Sequence, residues 1–332
     1  MEQDLVIKVD NLKTYFYNNN KCNKAVNGVS FEIRKGKTLC VVGESGCGKS
    51  ATASSIMQLL PELSRIEEGS IQYFKDDKII ELQELEKNGK EMRKIRGKEI
   101  AMIFQEPMTA LNPVLKVGYQ ISESLRVHYK ISKKEAKKKA IEVLSNMGIA
   151  LADQRYNEYP HQYSGGMRQR AMIAMAMCCS PQVLIADEPT TALDVTIQAQ
   201  IFQLMKDLQN QQGMAIMMIT HDMAVVSELA DDVAVMYMGN IVESGTKEEI
   251  FRNPVHPYTV ALMNSIPVLG RGKTQNLQPI KGNTPSPYNR PKGCQFEPRC
   301  KYATDECKKM PEEILIAKGH KVRCWNYKKV LK

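Results

Sequence analysis

Residues 43 to 50 read Gly43-Glu44-Ser45-Gly46-Cys47-Gly48-Lys49-Ser50, and this order of small residues, lysine and hydroxyl is that of a phosphate-binding loop. Glycine lets successive backbone N–H groups turn inward around a phosphate, lysine supplies a mobile positive charge, and a serine hydroxyl at the last position can ligate Mg²⁺. The flanks agree. Thr38-Leu39-Cys40-Val41-Val42 is an apolar run of buried-strand type, and Ser50 to Leu60 is expected to be helical. The loop then lies between a strand and a helix N-terminus, where the helix dipole favours an anion. A nucleoside triphosphate is the ligand this pattern predicts.

Upstream, residues 5 to 42 alternate apolar and polar positions, with turn residues at Tyr17 to Asn23 and Lys35-Gly36. They predict a small antiparallel β region leading into the central strand. Downstream, residues 108 to 163 lack β-branched runs and include Lys-rich stretches such as Ser132 to Met147, which predicts a helical insertion. Strand signals return at Val183-Leu184-Ile185-Ala186 and Ala215-Ile216-Met217-Met218-Ile219, separated by the helical pattern of Thr196 to Gln211. Apolar runs of this kind suit a parallel sheet, so the fold class is α/β. After about Phe251 prolines multiply (Pro254, Pro257, Pro279, Pro285, Pro287, Pro291), and a boundary is expected there, dividing 1–252 from a small irregular tail, 253–332.

The chain has 332 residues and a formal charge of +9, enough length for a large core and enough positive charge to attract anionic lipid or nucleic acid. Met1-Glu2-Gln3-Asp4 holds two acids and no apolar leader, and no apolar stretch approaches membrane-spanning length. Export and membrane spanning are therefore not expected, and a cytosolic location is. In that compartment the nine cysteines are expected to be thiols or metal ligands rather than disulfides.

A phosphate loop needs an acid at the end of a neighbouring strand to hold Mg²⁺, and Asp187 follows Val183 to Ala186. Glu188 comes next, a second carboxylate suited to polarising an attacking water. Between loop and acids, Ser164-Gly165-Gly166-Met167-Arg168-Gln169-Arg170 opens a helical stretch running through Ala171 to Cys179. Two readings of that glycine pair stand level: a helix N-cap, or a second anion site that receives a phosphate presented by another subunit.

Together these residues resemble the ATP-binding subunits of ABC transporters. Gly43 to Ser50 resembles Walker A, Phe104-Gln105 the Q-loop, Ser164-Gly165-Gly166 the signature, Val183 to Glu188 Walker B, Thr191-Ala192-Leu193-Asp194 the D-loop and His221 the switch histidine. The signature departs from the usual Ser-Gly-Gly-Gln in having Met167 at its fourth position. Arg96-Gly97, Ile103-Phe104-Gln105-Glu106-Pro107, the run from Ala186 to Thr196, and His256-Pro257-Tyr258-Thr259 are similar to the oligopeptide/dipeptide importer group, most like its OppD/DppD-type subunit. The resemblance implies a P-loop NTPase (RecA-like) core with an antiparallel β subdomain and a helical subdomain over about 108–164.

It also implies a mechanism and partners. ATP would be bound by Gly43, Glu44, Ser45, Gly46, Cys47, Gly48, Lys49, Ser50 and Ala51, with Phe16 stacking on adenine; Tyr15 is the alternative stacker and packing in the β core the other reading of Phe16. Mg²⁺ would be held by Ser50, Gln105 and Asp187. Glu188 would orient the water, His221 touch the γ-phosphate, and Ser164, Gly165, Gly166 and Asp194 complete the site across a dimer. Expected partners are two permease subunits, a second related ATP-binding subunit in a heterodimer, and an external substrate-binding protein, at the cytoplasmic face of the membrane. Nickel or glutathione-type cargo is the alternative to peptide. A soluble ABC ATPase acting on nucleic acid is the rival in another class, disfavoured by the short interval between Lys49 and Ser164, and nucleic acid is not an expected partner.

In the tail, Cys294, Cys300, Cys307 and Cys324 are spaced C-x5-C-x6-C-x16-C, and ten Lys/Arg stand against five Asp/Glu from 294 to 332. Four thiolates suit zinc or an iron–sulfur centre, and the spacing alone leaves free, buried thiols open as well. The importer resemblance implies a [4Fe-4S] cluster, with structural and redox roles both open to it and the structural role preferred, since a tail with little core needs a staple. His320 is expected at the surface rather than among the ligands.

Overall fold

The computed structural model describes residues 4–18, 21–105, 110–190, 195–265 and 280–330. Asp194 with the rest of its motif, and Glu106-Pro107, lie outside the described residues. The strands are β1 (Leu5–Asn18), β2 (Lys21–Arg34), β3 (Thr38–Val42), β4 (Ser64–Lys75), β5 (Lys78–Glu81), β6 (Ile100–Ile103), β7 (Val183–Asp187), β8 (Ala215–Thr220), β9 (Asp232–Tyr237), β10 (Asn240–Thr246), β11 (Ile314–Ala317) and β12 (His320–Val322). The chain forms two compact units, one of Met1–Val6, Arg34–Gly36 and Glu84–Met218, the other of Ile7–Ile33, Lys37–Gln83 and Ile219–Lys332.

In the first unit, β6 and β7 pair in parallel from Ile100↔Val183 to Ile103↔Ala186, with β8 on the other side of β7. Every residue of β7 is buried, as a continuous apolar strand between two covered faces must be. The Lys-rich segment becomes the helix Lys133–Asn146, whose N-cap Ser132 Oγ accepts the Glu135 N–H at 3.2 Å. Ala136, Ala140 and Leu144 line its buried face at four-residue spacing while the lysines point outward, the pattern of a helix with one covered stripe. It packs on Val117–Tyr129, and both pack on Gly165–Met177. Burying Leu144 contributes about 2 kcal/mol, whereas the exposed lysines add solubility rather than packing.

In the second unit, β2-β1-β4-β5 form an antiparallel sheet. β1 buries Ile7, Val9, Leu12 and Thr14, and the break in alternation comes where the β1–β4 register shifts between Asp10 and Lys13, with Asn11 at φ +48°. The extra residue bends the strand and restores the inward face beyond it. A second set of strands runs β11-β12-β10-β9-β3, with β3 and β9 parallel from Leu39↔Asp232 to Val42↔Val235.

The segment read as irregular carries ordered elements. His256 caps the helix Pro257–Asn264, its Nδ1 accepting the Tyr258 N–H at 3.1 Å, and Pro257 occupies the first turn, where a missing N–H costs nothing. β12 adds to β10 at Glu243↔Val322 and Ser244↔Lys321, and Val255, Val322 and Cys324 form a small core with Ile314, Ile316 and Tyr327 packed on it. His320 is buried, not superficial, with Nε2 2.9 Å from Glu243 Oε1. Glu243, fully buried, also accepts the N–H groups of Val255 at 2.8 Å and His256 at 2.9 Å. A buried carboxylate persists only with its lone pairs occupied, so this acid ties the tail to β10.

Candidate functional site

The phosphate loop leaves β3 and enters the helix Lys49–Ile56. Gly48 caps that helix at φ +108°, and a Cβ there would lie 2.1 Å from the Ala25 carbonyl oxygen. A Cβ on Gly43 would meet the Met236 carbonyl oxygen at the same distance. Both glycines are thus required by close backbone approach, and the cradle they leave is the size of bare main chain. Lys49 is buried and donates from Nζ to the carbonyls of Gly43 at 2.7 Å and Glu44 at 3.1 Å. Its charge is therefore held over the loop. Ser45, Gly46 and Ser50 are exposed, while the Cys47 thiol is buried and its pKa raised by that burial against the opposing pull of Lys49.

In the first unit, β7 ends at Asp187, which is buried, and Glu188 follows at φ +46°. A glutamate held in the left-handed region stores on the order of 1 kcal/mol, and such outliers gather at functional positions. Gln105 Nε2 donates to Glu188 Oε2 at 3.1 Å, so two residues 83 positions apart are brought together. Ser164 caps the helix Gly165–Met177, its Oγ accepting the Met167 N–H at 3.3 Å. Any residue but proline at Met167 keeps the backbone N–H that makes this bond. Ser164 and Gly165 are exposed, and a Cβ at Gly165 would meet nothing within 4 Å. Further along, Gln169 Nε2 donates to the Pro189 carbonyl, linking this helix to the turn after Glu188.

His221 follows β8 and is exposed, and Asp222 beside it caps the helix Met223–Leu229 by accepting the Ala224 N–H at 2.8 Å. Phe16 and Tyr15 are both half-buried on β1. The Tyr15 hydroxyl donates to Asn27 Oδ1 at 3.0 Å and its ring lies under Lys24 Nζ at 5.3 Å, which engages that ring locally and leaves Phe16 the less committed of the pair. The loop's own donor set suits a Mg-nucleotide: a backbone cradle too tight for a Cβ, a buried lysine, and a hard oxygen donor in the exposed Ser50.

Sequence reasoning missed the second layer of the loop. The Glu44 N–H donates to the Tyr258 hydroxyl at 2.9 Å, and the Glu44 carboxylate is gripped by Arg299 at 2.7 and 3.0 Å. Tyr258, Tyr237 and Phe296 stack around this point with centroids 4.7 to 5.3 Å apart. These partners lie more than 180 positions from the loop; Tyr258 belongs to the His256-Pro257-Tyr258-Thr259 motif, but nothing in the local sequence links it, Tyr237, Phe296 or Arg299 to the phosphate loop.

The expected metal centre of Cys294, Cys300, Cys307 and Cys324 must be corrected. Among the described residues no group of three or more His, Cys, Asp or Glu side chains is disposed to hold a metal ion, which removes the ground for a [4Fe-4S] cluster and equally for zinc. All four are free thiols. Burial raises Cys294 to about 11 and Cys324 to about 12, so both favour the neutral form, whereas ligation requires thiolate. Local packing accounts for their positions. Cys324 lies in the small tail core, Cys307 Sγ faces Asn326 Nδ2 at 3.6 Å, and the Cys294 N–H donates to the Cys307 carbonyl at 2.8 Å. The four thiols lie within electrostatic reach of one another, the other three each adding a little to the rise at Cys324, but closeness of this kind is not a ligand arrangement, and spacing alone does not supply one.

Comparison with known proteins gives matches over almost the entire chain. The family described as ABC transporter matches residues 26–191, and the one described as Oligopeptide/dipeptide transporter, C-terminal region, matches residues 242–307. The oligopeptide transport ATP-binding protein AppD of Bacillus subtilis is 51% identical over 97% of this chain and 97% of its own length. The dipeptide transport ATP-binding protein DppD of the same organism is 48% identical over 96% of this chain and 94% of its own. Among solved structures, a dimeric ATP-binding cassette in a post-hydrolysis state bound to ADP and Pi has a TM-score of 0.63 at 28% identity, covering 73% of this chain and 98% of that one.

Proposed function

Because the chain belongs to the ABC transporter family, as an ATP-binding subunit of the oligopeptide/dipeptide type, we propose that it hydrolyses ATP to energise the import of peptides across a membrane. The observation that carries this reading is half-identity, over nearly full length, to both AppD and DppD.

In the proposed mechanism the loop from Gly43 to Ser50, with Ala51, receives the phosphates, Lys49 turning its charge from the loop carbonyls to the β- and γ-oxygens. Ser50, Asp187 and Gln105 would hold Mg²⁺, which when bound would supply charge neutralisation for phosphoryl transfer. Glu188 accepts a proton from, and orients, the attacking water. Gln105, hydrogen-bonded to it, fixes the carboxylate's direction. His221 donates to the γ-phosphate as charge develops there. The Ser164-Gly165-Gly166 helix start, exposed at Ser164 and Gly165, caps the nucleotide of a second, related ATP-binding subunit, and Asp194 serves that same junction. Gln169 passes any shift of the signature helix to the turn carrying Glu188. Phe16 stacks on adenine.

The partners of this reading are membrane permease subunits, two in number, and a substrate-binding protein on the far side of the membrane. Among the described residues no helix is long and apolar enough to cross a membrane. The likeness to transport ATP-binding proteins supports a peripheral position at the cytoplasmic face on this reading. Residues 1–252 constitute the ATPase domain and 253–332 the family-specific extension.

Glu188→Gln is the test. It removes the base yet keeps the shape, so ATP binding is retained while turnover falls by roughly a hundredfold or more; ordinary hydrolysis by that variant refutes the assignment. Cargo is tested with the reconstituted transporter in vesicles. Stimulation of ATPase by peptide-loaded binding protein supports the reading, and stimulation by nickel in its place reassigns the substrate.

A further inference from the structure

The second residue of the phosphate loop is an acid, and an unpaired carboxylate beside a triphosphate would repel it. Glu44 is not unpaired. Arg299 Nη1 donates to Oε2 at 2.7 Å and Nη2 to Oε1 at 3.0 Å, a two-pronged fit of guanidinium to carboxylate. The Thr284 hydroxyl donates to Oε2 at 2.9 Å. Burial works against ionisation of Glu44, but the bonds from Arg299 and Thr284, with Lys49 nearby, hold its pKa below the usual carboxylate range.

Arg299 is itself fixed. Its side chain is 5% exposed, its Nε donates to the Lys281 carbonyl at 3.2 Å and its Nη1 to the Tyr237 hydroxyl at 3.3 Å. The guanidinium lies 5.8 Å from the ring centres of both Tyr237 and Phe296, within cation–π range. A second tail arginine reaches the chain segment that limits Gly48. Arg290 Nη1 donates to the Lys24 carbonyl at 2.7 Å, next to Ala25, whose carbonyl limits Gly48.

We propose that Arg299 is a positioning residue of the phosphate loop, through which the C-terminal segment neutralises Glu44 and holds the loop ready for the nucleotide. The proposal rests on the ATP reading of the loop. It gives the extension a task in the ATPase cycle: displacement of the segment carrying Arg299 would leave a bare carboxylate at the phosphate site and weaken nucleotide binding.

The test uses the full-length subunit in its assembled transporter, with Mg-ATP as probe. Arg299→Ala is expected to raise KM for ATP roughly tenfold or more, since one member of a largely desolvated pair is orphaned, while kcat changes much less. Adding Glu44→Gln to Arg299→Ala removes the orphaned charge and is expected to restore most of the lost affinity. Arg299→Lys, which keeps charge but not the fork, falls between, and it carries the same rescue test if the alanine variant does not fold. An unmoved KM in Arg299→Ala overturns the proposal, as does a double variant no better than the single one, the result for a residue that only packs. A parent complex that turns over ATP while Arg299→Ala is unaffected overturns this proposal alone. A parent without ATP turnover overturns the proposed function and this proposal with it.

Discussion

The phosphate loop and the C-terminal tail are held together in one unit, yet they relate to their sequences in opposite ways. In the loop, the residues that the pattern marks are the ones the geometry uses: Gly43 and Gly48 hold positive φ and are closed in by the carbonyl oxygens of Met236 and Ala25, which leave no room for a Cβ, and Lys49 sits where its amine reaches over the turn. In the tail, the conspicuous residues were the four cysteines, and they are packed thiols. The group that reaches the loop is Arg299, one of ten basic residues between 294 and 332 and unmarked by its neighbours. A motif is legible when contiguous backbone does the work. Where distant side chains converge, composition points at the wrong atoms.

The comparison breaks most sharply at Gly48. Gly48→Val places a side chain into a carbonyl oxygen at a φ of +108°, at a cost on the order of 4 kcal/mol, with loss of ATP binding by isothermal titration. Gly165→Ala, facing open space, should leave the melting temperature unchanged; equal damage at both positions would sink the claim that the loop is fixed by close approach.

A smaller effect is expected in the tail's buried network. Burial lowers the His256 imidazole to about 4 from its ordinary 6.5, with Glu243 opposing. The folded chain resists a proton that the unfolded chain accepts, so stability is full above about pH 6.5 and is lost as pH falls towards 4. The loss by pH 5 is about 2 kcal/mol. Urea unfolding at pH 7 and pH 5 should show this loss in the parent and a shallower one in His256→Asn, which keeps a capping acceptor; identical slopes would remove His256 from the account. Smallest of all, Cys324→Ala should cost about 1 kcal/mol as a trimmed core contact, and Cys22→Ala, at an exposed position, nothing measurable.

Much of the fold was legible in local patterns. The Lys-rich stretch Ser132 to Met147 is the helix Lys133–Asn146, and the apolar runs at 38–42, 183–186 and 215–219 are β3, β7 and β8. The hairpin of β11 and β12 escaped notice because seven strand residues amid charges and prolines give too short an alternation to detect. His320 was misjudged for a related reason: its burial depends on Glu243, 77 positions away.

Sequence by itself determined that this chain has a phosphate loop ahead of a paired-acid strand end in an α/β core, because those features depend on neighbours within a few residues. Only the tertiary structure decided that Gln105 meets Glu188, that Glu188 is held at φ +46°, that the tail cysteines share no metal, and that Arg299 neutralises Glu44. Each of these turns on side chains or backbone positioned by separate parts of the fold, and the distance between two such groups is set by packing, which no single stretch of sequence encodes.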